Sequence, residues 1–362
     1  MSEVKNVQKT GCAVIGYGGM GGWHTRYILE SDVAYLCGIY DINPVKVELA
    51  KTNGIRAYES LEELLADDEI KFVTIATPNE VHAEIAIKAL RAGKHVITEK
   101  PVVLNSKELE EVIAVANECG RLFTVHQNRR WDIDFRMMRE TYLSGKLGKV
   151  FSCESRIHGS RGVPGDWRGK PEHGGGMIYD WGVHLIDQMV GIVDDRKIEK
   201  IYCRCDHLTN DEVDDGFKLD IFFERGLIAH IEVSTRNFIS LPRFFMAGMN
   251  GTAIINDWRD KTRVVLCRTW EEHDVKPVVT AAGLTKTMAP RDEKTTVTYE
   301  VERPESDVHD FYRNLVKAID GVEPQIVTHR QLMRVMKIME AAFESDRVGA
   351  PIDFCDNFYG KE

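Results

Sequence analysis

The chain has 362 residues, 43% of them hydrophobic and 29% charged, with a formal net charge of −10. That length allows roughly two globular domains, and an acidic balance without a basic block argues against a nucleic-acid surface, which needs clustered Lys and Arg. No apolar run approaches the roughly 18–20 residues of a membrane span, Met1-Ser2-Glu3-Val4-Lys5 opens no apolar secretory segment, and the eight Cys are scattered without a C-x-x-C, so a reduced cytoplasmic protein is expected.

The first predicted strand, Cys12–Ile15, runs into Gly16-Tyr17-Gly18-Gly19-Met20-Gly21 and then a helical stretch, Trp23–Leu29. Strand, G-x-G-x-x-G and helix in that order make a pyrophosphate cradle. The first glycine makes the tight turn, the second lets the backbone approach the phosphates, the third lets helix pack on strand, and the helix N-terminus offers free N–H groups. The second strand, Ala34–Tyr40, ends in Asp41, 20 residues past Gly21 (41 − 21). A carboxylate there accepts bonds from ribose hydroxyls and repels a 2′-phosphate, which favours NAD(H) over NADP(H). The alternative is a Gly-rich surface turn with Asp41 capping the helix at Asn43–Thr52.

Strands Lys71–Ala76, His95–Thr98 and Leu122–Val125 then alternate with helices Val81–Ala92 and Ser106–Glu118, several helices closing on Gly54, Gly93 or Gly120. Repeated βα units predict a parallel sheet with helices on both faces. Ligands bind such sheets outside the carboxyl ends of the strands. Three segments sit there. Thr77-Pro78-Asn79 precedes His82, and Asn79 either caps the next helix or bonds a cofactor. Glu99-Lys100-Pro101 places a Lys where it reaches a nicotinamide cleft; Pro101 ends the strand and can be cis. The alternative for Glu99 and Lys100 is a solvated pair at a strand end. Gln127 to Trp131 offer further polar side chains.

After about residue 148 the pattern changes to longer alternating strands: Val150–Ile157, Lys197–Asp206, Phe217–Phe223, Leu227–Ser234 and Arg243–Ala247. Glu224-Arg225-Gly226 reads as a hairpin turn, Cys203 and Cys205 as packing on one strand face, and residues 271–296 as a long polar loop. Helices are predicted at Met177–Val190, Asp307–Ile319 and Arg330–Ser345. Asp166-Trp167-Arg168 is an aromatic–cation pair in a Gly-rich loop, suited to nicotinamide, phosphate or amide contacts. Gly174-Gly175-Gly176 opens a helix carrying an apolar stripe of Tyr179, Val183, Ile186 and Val190, with Asp180, His184 and Asp187 on the adjoining face. An imidazole takes a hydroxyl proton near neutral pH, and a neighbouring carboxylate would set its tautomer and raise its pKa. The alternative is an ordinary i, i+4 pair. His158, Asp166, His173, Asp180 and His184 lack a recognised ligand spacing, so no metal is expected.

With these residues in place, the chain resembles the Gfo/Idh/MocA family of oxidoreductases, which includes glucose–fructose oxidoreductase and inositol dehydrogenase, over nearly its whole length. The markers are Gly16-x-Gly18-x-x-Gly21, Thr77-Pro78-Asn79-x-x-His82, Glu99-Lys100-Pro101, and Gly174-Gly175-Gly176 followed by Asp180-x-x-x-His184. The resemblance implies an α/β protein: a doubly wound Rossmann domain, placed at residues 1–130, and a substrate-binding and oligomerisation domain, at 131–362. The second domain has a large, mostly antiparallel open sheet, and a C-terminal helix packs back on the first. It implies that Lys100, Asp180 and His184 are catalytic and that Trp167-Arg168 touches the cofactor. Taken with the motif readings, the expected cofactor contacts are Gly16, Gly18, Gly19, Met20, Gly21, Asp41, Thr77, Pro78, Asn79, His82, Glu99, Lys100, Gln127, Trp167 and Arg168. The expected substrate contacts are Lys100, Arg156, His158, Asp180 and His184. The implied reaction is hydride transfer between NAD and a secondary hydroxyl of a pyranose, a glycoside (at C3) or a cyclitol. On the same fold stand a glycosidase or sugar–sugar transhydrogenase with tightly bound NAD, and a non-catalytic NAD-binding regulator. A homo-oligomer through the C-terminal sheet is expected, with no nucleic-acid or membrane partner.

Overall fold

The computed structural model describes residues 9–270 and 276–356. The first third runs β1 (Thr10–Ile15), α1 (Gly19–Glu30), β2 (Ala34–Tyr40), α2 (Pro44–Thr52), α3 (Leu61–Ala66), β3 (Phe72–Ile75), α4 (His82–Arg91), β4 (His95–Thr98), α5 (Ser106–Cys119) and β5 (Phe123–Val125). Among the described residues these five strands form one parallel sheet in the order β2-β1-β3-β4-β5. Strands buried on both faces need continuous apolar runs, and Cys12 to Ile15 and Phe72 to Ile75 are buried throughout. The order reverses between β1 and β3, which opens a crevice at their carboxyl ends. Helix α1 begins at Gly19, four residues before the predicted start. Its glycines have poor helix propensity, which hid the first turn, yet Gly21 is required there: a Cβ on it would meet the Gly16 carbonyl oxygen at 1.9 Å. The short α3, capped by Ser60 accepting from the Glu63 N–H, escaped the sequence reading.

The rest runs α6 (Ile133–Leu143), β6 (Val150–His158), α7 (Val183–Ile192), β7 (Ile198–Asp206), β8 (Gly216–Phe223), β9 (Leu227–Ser234), β10 (Phe244–Gly248), β11 (Gly251–Ile255), β12 (Arg263–Cys267), β13 (Val278–Thr280), β14 (Gly283–Thr285), β15 (Thr296–Glu300), α8 (Asp310–Ile319), α9 (His329–Val348) and β16 (Ile352–Asp353). Among the described residues a nine-stranded sheet is ordered β15-β12-β11-β10-β6-β9-β8-β7-β16. The β6–β9 pair is parallel and the others are antiparallel. The expected fold class, a doubly wound parallel sheet plus a large, mostly antiparallel one, is the observed one. The β8–β9 hairpin turns at Glu224 to Gly226, with Arg225 at φ 64 and Gly226 at φ 77. The loop expected at 271–296 is corrected: β13 and β14 pair as a short hairpin, Val278-Val279-Thr280 supplying the β-branched run. Residues 271–275 of that loop lie outside the described residues.

The inner face of the large sheet carries Cys203, Phe217, Leu219, Ile221, Ala229 and Ile231, all buried. Helix α9 crosses it, its Ser345 Oγ accepting the Cys203 N–H at 2.9 Å. Helix α8 instead joins the first sheet: Phe311, Tyr312, Leu315 and Val316 share a core with Cys12, Val14, Ile28, Ile39 and Phe72.

Candidate active site

The glycine loop is shaped for an anion. Gly16 adopts φ 91, a left-handed conformation that other residues rarely accept. Open space surrounds Gly18 and Gly19, which are exposed together with Met20. No side chain caps α1, so its first N–H groups are left for a ligand. The Asp41 carboxylate accepts the Tyr17 N–H at 2.6 Å and the Asn43 N–H at 2.7 Å, which ties it to the glycine loop. The helix cap is Asn43, accepting from Val45 at 3.0 Å, so the capping alternative for Asp41 falls. Thr77 Oγ1, after β3, and Gln127 Oε1, after β5, are buried with no partner among the described residues. Buried polar atoms are normally satisfied. An open anion cradle with unspent polar atoms along the strand ends fits a dinucleotide.

Other expected cofactor contacts turn inward. Asn79 does not cap α4; its Nδ2 donates to the His173 carbonyl at 2.8 Å, and Pro78 beside it is exposed. His82 is fully buried, its ring nitrogens 3.0 Å from the Pro101 and Thr77 carbonyl oxygens, so it straps two loops together. The Glu99 carboxylate is buried between His24 Nε2 at 2.7 Å and His126 Nδ1 at 2.9 Å, both meeting Oε1. Its Oε2 accepts the Lys100 N–H at 3.1 Å. A carboxylate accepts only, so both imidazoles donate, and His24 Nδ1 is left to accept from the Tyr312 hydroxyl. Burial alone would raise the Glu99 carboxyl, but His126 and His24 outweigh it and hold it well below its ordinary range. These hydrogen bonds account for the one group of metal-ligand type, His24, Glu99 and His126, among the described residues. Sequence reading missed the network because residues 24, 99, 126 and 312 share no local pattern.

At the end of β4 the Lys100–Pro101 peptide is cis. Lys100 Nζ donates to Asp180 Oδ1 and to the Asp180 carbonyl, both at 2.8 Å. Arg168 Nε takes the other carboxylate oxygen at 2.8 Å, while its Nη1 meets Asp166 at 2.8 Å and its guanidinium stacks 4.6 Å from the Trp167 ring. Burial pushes the Asp180 carboxyl up, yet Lys100 and Arg168 together leave it lowered. Asp180 lies in a π-helical turn, Ile178–Gly182, that leads into α7. Asp214 closes the start of this turn: its Oδ2 accepts the Ile178 N–H at 2.8 Å and its carbonyl the Met177 N–H at 3.0 Å. That is why Gly176 is glycine. It sits at φ 98, and a Cβ would lie 2.1 Å from Asp214 Oδ1.

His184, in the first turn of α7, is 5% exposed, and its Nδ1 is buried without a partner among the described residues. Burial first, then the charges of Lys100 and Arg129, holds its pKa well below the ordinary value. Two expectations are corrected here. Asp180 bonds Lys100 and Arg168, not His184, so it does not set the imidazole tautomer. The imidazole pKa is lowered, not raised, because burial disfavours its charged form and the charges of Lys100 and Arg129 add to that.

Asp187 is paired with Arg130 at 2.6 and 2.7 Å, a structural contact. Arg156 and His158, expected at the substrate, point to the other face of the sheet. Strand alternation puts inner-face Ser155 toward α7 and sends Arg156 to Glu232 at 3.2 Å and to Glu154. His158 shares that outer face, 3.7 Å from Glu232. His173 pairs with Glu80 at 2.7 Å. The five residues weighed as metal ligands are therefore not brought together.

Comparison with known proteins gives the family of the chain. One family model, the oxidoreductase family with an NAD-binding Rossmann fold, matches residues 10–127, and a second, the GFO/IDH/MocA C-terminal domain, matches residues 135–254. The crystal structure of an NAD-binding protein from Listeria innocua is similar over 96% of this chain and 100% of its own, at 41% identity and a TM-score of 0.91. An uncharacterized oxidoreductase of Schizosaccharomyces pombe is 43% identical over 140 residues, 38% of this chain and 38% of that protein. The scyllo-inositol 2-dehydrogenase (NADP(+)) IolW of Bacillus subtilis is 36% identical over 35% of this chain and 36% of its own. The myo-inositol 2-dehydrogenase of Thermotoga maritima is 25% identical over 70% and 77%.

Proposed function

The chain belongs to the GFO/IDH/MocA oxidoreductase family, and we propose that it is an NAD-dependent dehydrogenase acting on a secondary hydroxyl of a cyclitol or pyranose ring. The observation that carries this reading is the meeting of Lys100 with Asp180 at 2.8 Å, together with His184, whose Nδ1 is buried without a partner among the described residues. This meeting lies at the carboxyl end of β4, where such sheets bind their ligands. Two relatives are named as inositol dehydrogenases, which supports the substrate class. The glycine loop and the α1 N-terminus would hold the pyrophosphate, Asp41 the adenosine ribose, and Thr77, Gln127, Trp167 and Arg168 the remainder. When bound, the dinucleotide supplies the hydride acceptor.

The residues then divide the labour. Lys100 donates a hydrogen bond to the substrate hydroxyl oxygen as negative charge grows on it. Loss of one such donor typically costs about 3 kcal/mol of transition-state stabilisation. His184, kept neutral by burial and by its cationic neighbours, accepts the hydroxyl proton. Asp180 fixes the Lys100 amine and the Arg168 guanidinium, so neither reorganises when charge develops. Asp41, fixed against the glycine loop, favours NAD over NADP by charge repulsion of a 2′-phosphate.

The test is NADH formation at 340 nm across inositols, hexoses and glycosides with NAD+ and NADP+. An absorbance rise with a cyclitol or pyranose, preferring NAD+, is expected. No rise with any substrate, or equal use of NADP+, contradicts the corresponding part of the reading. Aglycone release without net NADH would identify the glycosidase alternative.

A further inference from the structure

Glu99 carries a negative charge that no cation of the site answers. Around α7 and the ends of β4 and β5, Lys100 and Arg168 share Asp180, and Arg168 also meets Asp166. Arg129 pairs with Asp132, Arg130 with Asp187 and Arg243 with Asp134. These cations and carboxylates match one for one, and none of the cations is spent on Glu99. Among the described residues its side-chain partners are the imidazoles of His24 and His126.

The two imidazoles leave that charge in place. His24 donates from Nε2 and accepts the Tyr312 hydroxyl at Nδ1, so it holds one proton and no net charge. His126 donates from Nδ1 at 2.9 Å, and its Nε2 is buried without a partner among the described residues. A second proton there would bury a donor with nothing to bond, which is disfavoured. Three donors, the two imidazoles and the Lys100 N–H, converge on the carboxylate, and such donors favour its ionised form. The residue is 6% exposed, so water screens the charge little. A buried carboxylate held by neutral groups stays uncompensated until a cation arrives. Glu99 directly follows β4, which stands between β3 and β5. The unspent atoms of Thr77 and Gln127 lie past the ends of those two neighbours, and the Glu99 charge is felt at His184.

The nicotinamide ring is a cation in NAD+. It becomes neutral once it has taken a hydride, the hydrogen and both electrons of a substrate C–H bond, while the hydroxyl proton goes to His184. We propose that the Glu99 carboxylate, held by His24 and His126, discriminates between the two oxidation states of the cofactor, favouring the cationic ring of NAD+ over the neutral ring of NADH through its charge. The proposal rests on the NAD-binding reading of the glycine loop and goes beyond it: the same charge that helps load NAD+ ceases to hold the product NADH.

The test is calorimetric titration of NAD+ and NADH into the full chain, wild type and Glu99→Gln. In Glu99→Gln the Kd for NAD+ should rise about 10-fold or more relative to the Kd for NADH, the scale of one unit charge acting across a few ångströms of partly screened protein. Tyr312→Phe, which removes a hydroxyl of the same network and keeps the carboxylate, should leave the ratio of the two constants where it is. A purely structural role predicts that Glu99→Gln weakens both forms by the same factor, and that result overturns the proposal; so does a shift of the ratio in Tyr312→Phe as large as in Glu99→Gln. A wild-type measurement decides if Glu99→Gln does not fold: a dinucleotide with an uncharged benzamide ring in place of the nicotinamide should bind about 10-fold or more weaker than NAD+, and equal binding overturns the proposal. A shifted ratio in a chain that forms NADH with no substrate of the 340 nm panel keeps this role of Glu99 while the dehydrogenase reading fails. Binding of neither NAD+ nor NADH overturns both.

Discussion

His184 shows how far a single residue can be read from its sequence neighbours. The i, i+4 spacing to Asp180 made a carboxylate–imidazole pair natural. A π-helical turn at Ile178–Gly182 intervenes, and Lys100 and Arg168, more than 10 residues away in sequence, take both carboxylate oxygens. A residue motif gives identities, whereas pairing depends on what other elements deliver. The consequence is measurable in a pH profile. The proposed role as proton acceptor requires neutral His184, and burial, Lys100 and Arg129 hold its pKa well below the ordinary 6.5. The protonated form is thus disfavoured until the pH drops well under that value. Plots of kcat/KM, which report the free enzyme, should remain level as pH falls through 6.5 and decline only below it. An acid limb centred at or above 6.5 contradicts the assignment.

At the scale of elements, the strands of the first sheet and the glycine loop were legible because double burial and tight turns leave little choice of residue. Met177–Val190 was legible as a helix by its apolar stripe, but not the reason for Gly174 to Gly176. Gly175 and Gly176 admit the 168–170 backbone and the Asp214 carboxylate against the helix start, and Gly174 admits the Leu104 side chain. Strands β11, β12 and β15, toward one edge of the large sheet, were not legible: they are short and only partly buried, so their alternation is weak. Asp214 also carries an electrostatic load. Burial pushes its carboxyl up to about 7. A carboxyl raised in the folded state stabilises the fold below its unfolded pKa of 3.8 and loses that contribution as pH rises through about 7. Asp214→Asn keeps an oxygen for the Ile178 N–H and removes the buried charge. It should raise Tm at pH 8 by about 2 °C or more and by less at pH 5, where only part of the linked stability has been lost. Destabilisation at both pH values would show that the ionised form is needed to close the turn.

For the whole molecule, the two sheets work as a unit because later parts of the chain return to the first. Tyr312 of α8 closes the hydrogen-bonded chain that ends on Glu99, one residue before Lys100. Arg130 ties the segment after β5 to α7 and α9. The outer face of the nine-stranded sheet has the opposite character. Ile228 is 43% exposed there, in register with Ser152 and Phe222. We propose that a second copy of the chain covers this face. Light scattering should give a multiple of the single-chain mass, and Ile228→Asp should lower it; a wild-type monomer contradicts the proposal.

The central claim is that the amine of Lys100 and the imidazole of His184 act together on one substrate hydroxyl. Single-turnover NADH formation in the wild type, Lys100→Ala and His184→Asn, with NAD affinity measured on the same samples, tests it most directly. Each substitution should slow the chemical step by about 10²-fold or more while NAD binds as before. Turnover at the wild-type rate in either variant, or a loss that only mirrors weakened NAD binding, would contradict it.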